Sequence, residues 1–103
     1  DLDTVAGALN ATDAGLAACD FADLRGGDVA VNLKLLDGLV GPAGAEQVPS
    51  GLRDTVLMNA AAALWVAGCA SDLKDGARQA KALLESGAVR EWLDKARNFY
   101  AAL

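Results

Sequence analysis

Arg53-Asp54-Thr55-Val56-Leu57-Met58-Asn59-Ala60-Ala61-Ala62-Ala63-Leu64-Trp65-Val66-Ala67-Gly68 decides how this chain is read. After one charged pair, the run is apolar on every side of a helix and is broken by a single amide, Asn59. Its alanines and leucines favour the helix, and Gly68 supplies the stop. A helix hydrophobic all round belongs at the centre of something larger than itself. In a chain of 103 residues that apolarity demands a cover.

Working outward, Ser50 reads as the cap of this helix and Ser71 as the cap of the next. The next helix carries Leu73, Ala77, Ala80 and Leu84 on one face and closes at Gly87. A fourth runs from about Ala88 to the C-terminus, with Val89, Trp92, Leu93, Ala96, Phe99 and Leu103 inward. Upstream, Val29, Leu33, Leu36 and Val40 fall at steps of four, three and four, again one helical face. Asp28 caps that helix and Gly41-Pro42 ends it. Gly41 to Gly51 holds both prolines of the chain and reads as a surface loop. Asp13-Ala14-Gly15 reads as a turn, Asp20 to Leu24 as one helical turn before Gly26-Gly27, and Thr4 to Leu9 as a weak, short edge strand. The expectation is a mainly α chain of about four helices, the last three joined by short turns that favour antiparallel or steeply crossed neighbours.

Composition agrees. Hydrophobic residues make up 53% and aromatics only 5%, which favours packed helices over a sheet sandwich. At this length the chain is one domain or part of one, able to hide roughly 65% of its unfolded surface. Its net charge is -5, and Arg90, Lys95 and Arg97 interleave with Glu91 and Asp94, so nucleic acid is not an expected partner. No apolar run reaches membrane-spanning length and no signal peptide is visible, so no membrane association is expected. The first residue is Asp1 rather than Met, which leads to the expectation of missing upstream sequence.

The residues that carry chemistry are mostly absent. With no histidine, the commonest general base and metal ligand is missing. Cys19 and Cys69 lack CxxC spacing and read as buried reduced thiols. Arg25-Gly26-Gly27-Asp28 invites a phosphate-loop reading, but lacks Lys-Ser/Thr and sets a carboxylate where the anion would sit. It reads instead as a tight turn whose glycines permit positive φ, followed by an Asp cap. Asp20 with Asp23, Asp72 with Asp75, and Glu91 with Asp94 are spaced as solvated helix surface rather than metal ligands. Ser50, Ser71 and Ser86 read as caps, with no base to activate them. Asn59 reads as a buried amide tying a neighbouring segment to its helix, with direct ligand contact as the other option.

Two segments, taken in order, resemble anthranilate phosphoribosyltransferases. Asp13-Ala14-Gly15-Leu16, then Leu24-Arg25-Gly26-Gly27-Asp28 and Asn32, is similar to a D-x-G-L turn followed by that family's L-R-G-G-D-x-x-x-N helix start. Arg53-Asp54, Leu57, Asn59 to Leu64 and Val66-Ala67-Gly68 resemble its R-D-x-x-L-x-N-A-A-A-A-L-x-V-A-G helix, and Ser86-Gly87-Ala88 its S-G-A. The Gly41–Gly51 loop looks longer than is usual there.

The resemblance covers about the last third of such an enzyme. It implies that residues 1–103 are the C-terminal segment of an α/β phosphoribosyltransferase domain of the nucleoside phosphorylase-like type, with no complete second domain. The implied reaction moves phosphoribosyl from phosphoribosyl pyrophosphate to anthranilate, with Mg²⁺, in tryptophan biosynthesis. The family's GTGGD loop, Lys-His-Gly-Asn segment and Asp-Glu metal pair lie upstream. No catalytic, cofactor-binding or metal-binding residue is therefore assigned to this chain, which is expected to be scaffold and inactive alone. The implied partners are the remainder of the polypeptide and, at full length, a second copy in a homodimer; the implied compartment is the cytoplasm, or the plastid in a plant or alga. The alternatives are a stand-alone, non-catalytic helical interaction module, and a related transferase or phosphorylase with another acceptor.

Overall fold

The computed structural model describes residues 9–41 and 48–103. Two single-turn 3₁₀ helices, Ala11–Ala14 and Phe21–Leu24, precede four α-helices: α1 (Val29–Val40), α2 (Ser50–Val66), α3 (Leu73–Ser86) and α4 (Ala88–Ala101). No strand occurs among the described residues. The expected edge strand falls almost wholly on residues outside them, as does most of the Gly41–Gly51 loop.

Each helix has a local cause. Asp28 caps α1 by accepting from the Val31 N–H at 2.9 Å, as its position predicted. The cap of α3 is Asp72, not Ser71: its carboxylate accepts from the Asp75 N–H at 2.7 Å. Ser71 lies one residue further out and donates its own N–H to Asp75 at 3.0 Å. Ser50 is likewise already inside its helix, behind Pro49. Ser86 is not the cap of α4 either: it is the last residue of α3, and Gly87 holds the cap position. The Ser86 hydroxyl donates to the Leu83 carbonyl at 2.7 Å and accepts from the Ala88 N–H at 3.2 Å. The chain leaves α2 through Gly68 (φ +79°) and α3 through Gly87 (φ +83°), the left-handed conformation that glycine adopts without a Cβ clash.

The core lies between α2 and α3. Gly76 on α3 meets the backbone of Ala61 on α2 so closely that a Cβ there would lie 2.6 Å from the Ala61 carbonyl oxygen. Ala61 is 0% exposed. Around this crossing, Ala14, Ala61, Leu73 and Ala77 form one buried patch, and Val40, Leu57, Ala80 and Leu84 form a second. Leu16 packs against both. The predicted inner face of α3 is thus the observed one. Burial of Leu57 and Leu84 contributes about 1.5–3 kcal/mol each.

The other helices depart from expectation. On α1, Val40 is buried and Leu36 half-buried, but Val29 is 75% exposed and Leu33 is exposed too. On α4 only Leu93 and Ala96 of the expected inward set are half-buried; Trp92 (68%) and Phe99 (64%) face solvent with Val89 and Leu103. The periodicity is real, but no described element lies opposite it. An ion pair of 3.4 Å between Arg97 and Asp37 ties α4 to α1, and one of 3.2 Å between Arg53 and Glu85 ties α2 to α3. The radius of gyration, 15.3 Å, exceeds the roughly 13 Å of a compact chain this long, consistent with helical faces left open.

Candidate functional site

The Arg25–Asp28 turn is a structural clasp. Asn32, one turn into α1, accepts the Gly27 N–H through Oδ1 at 3.0 Å and donates Nδ2 to the Gly27 carbonyl at 3.0 Å. Both backbone polar groups of Gly27 are therefore satisfied within the chain. Neither Gly26 nor Gly27 has positive φ, contrary to expectation. They are needed for closeness: a Cβ on Gly26 would lie 2.7 Å from Asn32 Oδ1, and one on Gly27 2.9 Å from the Val31 Cβ. With Asp28 already holding the Val31 N–H, this helix start offers little to an anion.

The carboxylate pairs serve similar ends. Asp72 caps α3, while Asp75 accepts from Ser71, Gln79 and Arg78. The Ser71 N–H, helped by Gln79 and Arg78, holds the Asp75 carboxyl below its ordinary pKa. Gln79 also donates to the Cys69 carbonyl at 3.0 Å, so one network closes the turn between α2 and α3. Glu91 and Asp94 are exposed and pair with Lys95 and Arg97 on their own helix. Among the described residues no group of three or more His, Cys, Asp or Glu is placed to hold a metal ion.

Asn59 and the cysteines overturn their sequence reading. Asn59 is exposed, and its Nδ2 donates to the Thr55 carbonyl of its own helix at 2.9 Å. Among the described residues it ties no neighbouring segment to α2. Cys19 and Cys69 are free and exposed, not buried. Cys19 lies over the N-terminus of α2, where a Cβ on the buried Gly51 would stand 2.7 Å from its Sγ. Beside it is a cavity of about 110 Å³ lined by Ala11, Ala17, Cys19, Gly51, Asp54, Thr55 and Met58. Substrate pockets hold roughly 300–1,000 Å³, so this is a packing notch.

Sequence reasoning missed the Asn32 clasp, the seating of Cys19 on Gly51 and the Ser71–Asp75–Gln79 network. The five-residue step from Gly27 to Asn32 was visible, but only geometry shows the amide turned back. No signal in the sequence marks the meeting of Cys19 with Gly51.

Among the described residues, the polar groups at Asn32, Asp28, Asp72 and Asp75 are engaged in caps and turns. The chain belongs to the glycosyl transferase family, a/b domain, whose model matches residues 3–90. It is 46% identical over 87 residues to the anthranilate phosphoribosyltransferase of Roseiflexus sp. (strain RS-1), covering 84% of this chain and 24% of that protein. With the anthranilate phosphoribosyltransferase of Anaeromyxobacter sp. (strain K) it shares 50% identity over 82 residues, 79% of this chain and 23% of the relative. With that of Brucella suis (strain ATCC 23445 / NCTC 10510) the figures are 45% over 83 residues, 81% and 23%. The chain thus spans about a quarter of the length of the curated relatives it matches. No solved structure matches it. No helix among the described residues is long and apolar enough to cross a membrane.

Proposed function

We propose that residues 1–103 form the C-terminal segment of the phosphoribosyl-transferring domain of an anthranilate phosphoribosyltransferase, as scaffold without catalytic, cofactor or metal residues. The observation that carries this reading is the match over residues 3–90 to the glycosyl transferase a/b domain, joined by relatives at 45–50% identity that share one name. The complete protein transfers phosphoribosyl from phosphoribosyl pyrophosphate to the amino group of anthranilate, a step of tryptophan biosynthesis, in the cytoplasm and as a homodimer. Mg²⁺ supplies charge neutralisation for the departing pyrophosphate, held by residues outside this chain. The contribution of this chain is packing: α2 and α3 form a stiff pair against which the rest of the domain is held. Phosphoribosyl transfer requires fixed positive or hydrogen-bond-donating groups around the leaving pyrophosphate, and the net charge of -5 here favours their placement in the rest of the protein.

The test is anthranilate fluorescence in the presence of phosphoribosyl pyrophosphate and Mg²⁺. The 103-residue chain leaves it unchanged, whereas the chain joined to the remaining three quarters of a relative consumes it. A folded, joined protein that leaves anthranilate untouched refutes the reading.

A further inference from the structure

We draw no further inference here: the strongest candidate, the exposed aromatic surface patch of α4 formed by Trp92, Phe99 and Tyr100, carries nothing, because nothing in the structure shows what covers it.

Discussion

Helices α2 and α3 lie against each other and treat solvent in opposite ways. α3 has one apolar side, Leu73, Ala77, Ala80 and Leu84, all buried, and a charged outer side. α2 has a buried side through Leu57 and Ala61 and an outer side that is also uncharged. A helix with one partner needs only one apolar face; a helix apolar on both sides is built for two partners. The difference between neighbours separates the contact that is complete from the one that is not.

The contrast is broken most severely by Leu57→Ala, which empties the centre of the α2–α3 contact. We expect a loss of about 2–5 kcal/mol, read from denaturant unfolding. Gly76→Ala comes next: the new Cβ presses on the Ala61 carbonyl, the helices must separate, and stability falls by about 1–3 kcal/mol. Asp72→Ala removes the α3 cap and costs about 1 kcal/mol in thermal unfolding. A smaller effect follows pH. The lowered folded-state pKa of Asp75 means that its contribution is present above the unfolded carboxylate pKa and is lost as pH falls through the folded value. Asp75→Asn therefore destabilises at neutral pH, and wild type and variant converge in acid. The smallest effect sharpens the comparison: Val66→Lys on the open side of α2 changes the stability of the 103-residue chain by no more than about 0.5 kcal/mol. The same charge on the inner side, at Ala61, unfolds it.

The helices were legible because their periodicity and stop signals are local. Leu73 to Leu84 announce a face, and Gly68 and Gly87 announce ends, without reference to any distant residue. What each face touches was not legible. Val89, Trp92, Phe99 and Leu103 keep helical spacing, and spacing says which residues share a side but not whether anything stands opposite. The exposure of Asn59 was hidden for the same reason, since an apolar run implies burial only when its cover is present. The lack of histidine was readable from composition. The work done by the polar groups was not, because an Asn clasp and a Ser–Asp turn look like ordinary surface until the backbone is traced.

The Asn32 clasp has a consequence in time. Its two hydrogen bonds close a segment of five residues, whereas the Arg97–Asp37 pair joins positions sixty apart. Short loops close within about 10–100 ns, and the entropy of closure grows with length. The start of α1 therefore organises itself as a local event, long before α4 returns to meet the other end. In a refolding chain Gly27 and Asn32 set an early boundary, and the ion pair at Arg97 is among the last contacts to form.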